Sequence, residues 1–157
     1  MEEPKSNIIK LIRGNIFDSK CEAWVNPVNC MGAMGAGLAL KFKEKFPGNY
    51  RHFNKACRGC NILPGTIVKY NTDKEEPEYI LNLTTKDHWE NYSKLEYIIS
   101  GMKALIQAIQ FYDIESIAIP ALGCGLGGLQ WRDVKPIIEN AFTDMNDLIV
   151  EIYEPIK

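Results

Sequence analysis

Ala23-Trp24-Val25-Asn26-Pro27-Val28-Asn29-Cys30-Met31-Gly32-Ala33-Met34-Gly35-Ala36-Gly37 begins as an apolar run and ends with three glycines in six residues. Its first part, residues 23–26, is short and largely apolar, as a buried strand is. Leu38, Ala39, Phe42 and Phe46 follow at helical spacing, and Pro47-Gly48 stops them. A buried strand that passes through a glycine loop into a helix is the building unit of an α/β sheet. The chain contains the same unit a second time. Ile117-Ala118-Ile119-Pro120 runs into Gly123-Cys124-Gly125-Leu126-Gly127-Gly128, and Val134, Ile137, Ile138, Ala141 and Phe142 mark the apolar face of the helix that follows.

The other elements fall around these two units. Residues 8–13 read as a strand ended by Gly14-Asn15, residues 50–60 as a short helix, and residues 148–153 as a closing strand. Residues 65–70 and 79–83 read as strands separated only by the acidic turn 71–78. Ser93, with Glu96 three positions on, reads as the capping box of a long helix striped by Leu95, Ile98, Ile99, Met102, Leu105, Ile106 and Ile109. Helices alternating with buried strands predict an α/β fold, a three-layer α/β/α sandwich. The hairpin-like stretch 65–83, with no helix between its strands, makes the central sheet mixed. The length of 157 residues predicts one domain over 1–157, and 46% hydrophobic with 24% charged residues suffices for a core.

The charge balance, eighteen Lys plus Arg against twenty Asp plus Glu, offers no overall case for nucleic acid or a membrane. The total conceals a local asymmetry. Lys41, Lys43, Lys45, Arg51, Lys55 and Arg58 face a single acid, Glu44, with Tyr50, His52 and Phe53 interleaved, whereas residues 73–78 are acidic. Basic residues among aromatics suit single-stranded nucleic acid, and a solvated helix face suits them equally. No stretch reaches eighteen apolar residues, so no membrane span is expected. Five cysteines (Cys21, Cys30, Cys57, Cys60, Cys124) behind a polar N-terminus point to reduced thiols in the cytoplasm. Cys57-x-x-Cys60, with His52 upstream, lacks the second ligand pair of a structural zinc site. No metal and no cofactor are expected.

Glycines let backbone N–H groups turn inward, and a helix N-terminus adds partial positive charge. Two such loops at matched positions can cradle a diphosphate from both sides. Neither is a phosphate loop of the Gly-Lys-Ser/Thr type, and neither carries a dinucleotide fingerprint, so a nucleotide triphosphatase or a dehydrogenase is disfavoured. Asn26 and Asn29 flank Pro27 just before the first loop, where carboxamides can bond sugar hydroxyls or cap a turn.

Val25-Asn26-Pro27-Val28-Asn29, Met34-Gly35-Ala36-Gly37-Leu38-Ala39 and residues 119–129 together resemble a macrodomain, over essentially the whole chain. Asn82-Leu83-Thr84-Thr85-Lys86-Asp87-His88-Trp89 is similar to the matching segment of DarG-type antitoxins, which remove ADP-ribose from thymidine bases in DNA. The terminal ADP-ribose protein glycohydrolase branch shares a similar Thr-Lys and glycine loop. The resemblance implies ADP-ribose bound across the C-terminal edge of the sheet. Asn26 and Asn29 would approach the distal ribose. Gly32, Met34, Gly35, Ala36 and Gly37 would hold the diphosphate together with Gly123, Cys124, Gly125, Leu126, Gly127 and Gly128. Thr85 would line the site, Tyr153 would stack on adenine, and Asn15 stands where many macrodomains have an adenine-binding aspartate.

Lys86 matches the lysine on which catalysis depends in both branches. A lysine serves glycosidic cleavage either as a nucleophile on the opened sugar, which requires the neutral amine, or as a proton donor to the leaving base. His88 and Trp89 are open between positioning a base and packing the loop. Where the protein-directed branch has an acid in its second loop, this chain has Gly127, which favours the DNA-directed branch. The expected partners are therefore ADP-ribose and ADP-ribosylated single-stranded DNA, with a DNA ADP-ribosyltransferase toxin as protein partner and the chain itself a monomer. The rival readings are hydrolysis of mono-ADP-ribose on protein, removal of phosphate from ADP-ribose-1″-phosphate, non-catalytic ADP-ribose binding, and a zinc-dependent nucleic-acid binder through Cys57 and Cys60.

Overall fold

A computed structural model describes residues 7–155. Six strands form one sheet: β1 (Ile8–Ile12), β2 (Ala23–Asn29), β3 (Ile67–Asn71), β4 (Tyr79–Lys86), β5 (Ser116–Ile119) and β6 (Ile149–Tyr153). Their order across the sheet is β1-β6-β5-β2-β4-β3. Every neighbouring pair is parallel except β3 with β4, so the sheet is mixed, as the missing helix between residues 65 and 83 predicts. Among the described residues four α-helices complete the sandwich: α1 (Gly37–Lys45), α2 (Pro47–Gly59), α3 (Leu95–Phe111) and α4 (Trp131–Ala141).

The period-2 geometry of the strands sorts side chains to two faces. Val25, Leu81, Leu83, Ile117, Ile119, Val150 and Ile152 meet Ile98, Met102 and Leu105 of α3 and Val134 and Ile138 of α4 in the larger core. On the opposite face Trp24 and Ile80 pack on Phe42 of α1, and Val28 packs on Phe53 of α2. Helices thus cover both faces. Gly101 lets α3 lie close to the sheet, because a Cβ there would stand 2.9 Å from a methyl of Leu83.

Two local expectations are corrected. Ser93 is not the N-cap of α3; that residue is Lys94, with no side-chain cap, so the Ser93–Glu96 capping box does not form. Ser93 instead donates its hydroxyl to the carbonyl of Thr85. Strand β2 runs through Pro27 to Asn29 rather than ending at residue 26. Proline is tolerated because β5 pairs with β2 only at Ala23 and Trp24, so beyond Trp24 that side of β2 has no ladder to interrupt. The same early end of pairing parts β2 from β5 in the middle of the sheet.

Candidate functional site

The crevice between β2 and β5 opens at the C-terminal ends of the parallel strands, where the β2 connection and the β5 connection leave for different parts of the sheet. Open α/β sheets bind ligands at such points. Both glycine loops rise from this crevice and enter helices α1 and α4, whose N-caps, Ala36 and Gln130, make no side-chain cap bond. No side chain occupies the first-turn N–H groups of α1, which suits an anion; in α4 the N–H of Asp133 donates to Gln130 O at 3.0 Å.

Asn29 organises the first loop. Its Oδ1 accepts the N–H of Met31 at 3.0 Å and of Ala33 at 3.3 Å, and its Nδ2 donates to the carbonyl of Ala33 at 3.1 Å. Gly32 has a positive φ of 80°, and a Cβ there would stand 3.1–3.2 Å from Asn54 and Cys57 of α2. That contact seats the loop on α2. Gly35, Ala36 and Gly37 remain exposed at its crest.

The second loop is folded on itself by Leu129 N–H to Gly123 O at 2.9 Å and Gly128 N–H to Gly125 O at 3.1 Å. Gly125, Leu126 and Gly128 are exposed, and Cys124 is half-buried. Leu126 reaches towards the first loop: a Cβ on Gly37 would lie 3.7 Å from its Cδ1. The two crests therefore meet across the crevice.

The end of β4 joins both loops. Asn29 lies opposite Lys86 after a shift in register, and Cys30 N–H is shared between the carbonyls of Lys86 (3.1 Å) and Asp87 (3.0 Å). On the other side Ser93 bonds Thr85 through its hydroxyl and donates its N–H to Gly127 O at 2.9 Å. Lys86 is half-buried between them and donates its Nζ to Trp89 O at 3.2 Å. Residues 88–91 close a turn, with Asn91 N–H on His88 O at 3.0 Å and Glu90 N–H on His88 Nδ1 at 3.1 Å.

Burial pushes the thiols of Cys30 and Cys124, one at each loop, up to about 11. Both are protonated near neutral pH, so neither is primed as a nucleophile. Neither glycine loop contains an acid. The backbone of Lys86 is bonded to the first loop through Cys30 and adjoins Thr85, which Ser93 ties to the second loop, while its ammonium is held by Trp89 O.

Several expected contact residues lie beneath this surface. Asn26, expected to approach the distal ribose, is fully buried, and its Nδ2 donates to Asn82 Oδ1 at 3.0 Å. Asn82 in turn exchanges bonds with Asn49 of α2, at 2.7 and 3.0 Å, and donates to Val68 O at 3.0 Å. Among the described residues Asn26 Oδ1 has no hydrogen-bond partner. Met34 is buried against Val28 and Phe53, and Thr85 is buried with its hydroxyl 3.5 Å from Val28 O. Tyr153 is only 7% exposed, packs near Trp24, and donates its hydroxyl to Glu151 at 2.9 Å; its ring is a core group rather than an open stacking face. Asn15 is exposed, but its Oδ1 already accepts the N–H of Phe17 at 3.0 Å. Cys57, Cys60 and His52 do not assemble; among the described residues no group of three metal-binding side chains occurs.

Ser93, Asn49 and Asn82 were not expected at the site. Asn82 did carry a signal, a carboxamide in the apolar run Tyr79-Ile80-Leu81-Asn82-Leu83, because a buried amide must find partners.

Comparison with known proteins places this geometry. The family model described as Macro domain matches residues 25–138, which span both glycine loops and Lys86. A Thermus aquaticus protein named DNA ADP-ribosyl glycohydrolase is 41% identical over 151 residues, 96% of this chain and 42% of that protein. The solved macrodomain of Mycobacterium tuberculosis DarG superposes with a TM-score of 0.93 at 38% identity, covering 96% of this chain and all of that one. The structure described as Thermosipho africanus DarTG in complex with ADP-ribose gives 0.89 at 33% identity, covering 95% of this chain and 42% of that one. The chain spans less than half the length of the first curated relatives it matches. By the extent of the family match and the likeness of these relatives, the chain belongs to the Macro domain family.

Proposed function

We propose that this chain binds ADP-ribose in the crevice and hydrolyses the bond that joins it to thymidine bases in DNA. The observation that carries the reading is the position of Lys86, whose backbone is tied to the first loop through Cys30 and whose neighbour Thr85 is tied to the second through Ser93 and Gly127, beside two loops that contain no acid. The DNA ADP-ribosyl glycohydrolases to which the chain is similar support the DNA substrate, and the DarTG structure with ADP-ribose supports the ligand.

In this reading the diphosphate rests on the exposed residues 35–37 and on Gly125, Leu126 and Gly128, near the start of α1. The distal ribose lies towards Asn29 and Lys86. Cleavage breaks the bond from C1″ to the base nitrogen; water supplies the hydroxyl that ends on C1″ and the proton that ends on the base. Lys86 serves either as the proton donor to the leaving base or, as a neutral amine, as the nucleophile on the opened sugar. Asn26, Met34, Thr85 and Tyr153 support the crevice from beneath. The enzyme reverses the product of a DNA ADP-ribosyltransferase, its partner toxin, and works as a monomer in the cytoplasm.

The test is release of free ADP-ribose from a thymidine-ADP-ribosylated oligonucleotide by the wild-type chain, with ADP-ribosylated glutamate on protein and ADP-ribose-1″-phosphate as controls. Rapid release from DNA alone supports the reading. Equal or faster turnover of either control contradicts the DNA preference.

A further inference from the structure

Two aromatic side chains stand in solvent immediately beyond the proposed catalytic lysine. Trp89 is 55% exposed and Tyr92 76% exposed. Neither belongs to a core cluster, and both sit on the short connection between β4 and α3. This connection is anchored at the reaction centre, since the carbonyl of Trp89 holds the ammonium of Lys86 and Tyr92 lies over Gly128 of the second loop. A single exposed apolar residue needs no explanation; here the Trp89 ring lies 5.2 Å from that of His88, and Tyr92 packs over Gly128, so exposed aromatic rings line the same connection and offer faces to a flat partner.

The neighbouring helix supplies the complementary charge. Arg51, Lys55 and Arg58 are spaced i, i+4, i+7 on α2; all three are exposed, and α2 contains no acid. That helix adjoins the same site, because its Asn54 and Cys57 carry the first glycine loop at Gly32, and Cys30 bonds the carbonyls of Lys86 and Asp87. Exposed rings together with a basic stripe are what a single strand of nucleic acid requires, since unpaired bases offer faces for stacking and the backbone offers phosphates. A duplex keeps those faces inside its own stack.

Building on the proposed function, we propose that Trp89 and Tyr92 form a stacking platform for the bases that flank the modified nucleotide in single-stranded DNA, with Arg51, Lys55 and Arg58 receiving its phosphates. The platform makes the polymer, not the modified nucleoside, the preferred substrate.

The experiment compares the wild-type chain, Trp89→Ala/Tyr92→Ala and Trp89→Phe/Tyr92→Phe on three probes. These are ADP-ribosyl-thymidine nucleoside, the same modified thymidine within a short single-stranded oligonucleotide, and the unmodified oligonucleotide. For the alanine pair the affinity for unmodified oligonucleotide falls about tenfold or more, and KM for the modified oligonucleotide rises to match. Any loss of turnover on the nucleoside is much smaller than the loss on the oligonucleotide, and the phenylalanine pair retains most of the binding. Unchanged oligonucleotide binding in the alanine pair overturns the platform, as does an equal loss on nucleoside and oligonucleotide. Loss of binding to a DNA ADP-ribosyltransferase with oligonucleotide binding intact also overturns it, marking the surface as a protein interface. If the wild-type chain cleaves neither modified substrate, the glycohydrolase reading fails, while the unmodified oligonucleotide still decides the platform.

Discussion

A Cβ on Gly127 would lie 2.5 Å from the carbonyl oxygen of Gly123, closer than real side chains come to a backbone atom. The second loop can fold as it does only with glycine at this position, and the carboxylate of the protein-directed branch has no room there. Gly127→Asp is expected to destabilise the fold by about 1–3 kcal/mol through overpacking. It should also weaken ADP-ribose binding, because the loop must open to admit the side chain. Thermal unfolding and titration calorimetry check both effects, and gain of activity on ADP-ribosylated protein is not expected.

Ser93 carries the link between β4 and the second loop. Ser93→Ala leaves the buried carbonyl of Thr85 without its hydroxyl donor, a loss of about 1–3 kcal/mol. The backbone bond to Gly127 survives the substitution, so kcat with ADP-ribosylated DNA should fall by a modest factor rather than vanish. Steady-state kinetics beside a denaturation curve separates the two effects.

Asn82 is the hub of the buried carboxamides. Asn82→Leu leaves Asn26, Asn49 and Val68 O without the partners they now have, at a cost of roughly 3 kcal/mol. In that background Asn49→Leu should cost much less than it does alone, since its partner is already gone. A double-mutant cycle by urea denaturation reads the difference.

The fold was largely legible because burial on two faces leaves an unmistakable pattern. Residues 117–119 read as a buried strand, and Leu95 through Ile109 read as one helical stripe. What local pattern missed are the bonds made across the chain. Ser93 and Glu96 have the spacing of a capping box, yet Ser93 is captured by Thr85 on the adjoining strand, an interaction no short motif reports. Residues 23–26 read as a short apolar strand, and the partial pairing with β5 explains why β2 continues through Pro27. At the site, Gly35, Ala36 and Gly37 and Gly125, Leu126 and Gly128 are exposed. Asn26, Met34 and Tyr153, which the resemblance assigns to ligand contact, turn their side chains into the core through strand alternation and helix packing.

The thiols give a pH dependence of defined sign. Burial raises Cys21, Cys30 and Cys124 from 9.0 to about 11 in the folded chain. A raised value means that folding favours the protonated thiol. The stability this contributes is complete below about pH 9 and is lost as pH rises towards about 11. Denaturation midpoints measured across that interval should fall. At neutral pH alkylation should reach the exposed Cys60 first and the buried Cys21 and Cys30 only on unfolding, as peptide mass spectrometry can show.

The central claim rests on Lys86 as the group that acts on the bond to the base. Its most direct measurement is release of ADP-ribose from a thymidine-ADP-ribosylated single-stranded oligonucleotide by the wild-type chain and by Lys86→Ala, with ADP-ribose affinity followed in parallel. The account predicts release by the wild-type chain and a loss of about a hundredfold or more in the variant, with ADP-ribose still bound. Equal release by both proteins, or none by either, would contradict it.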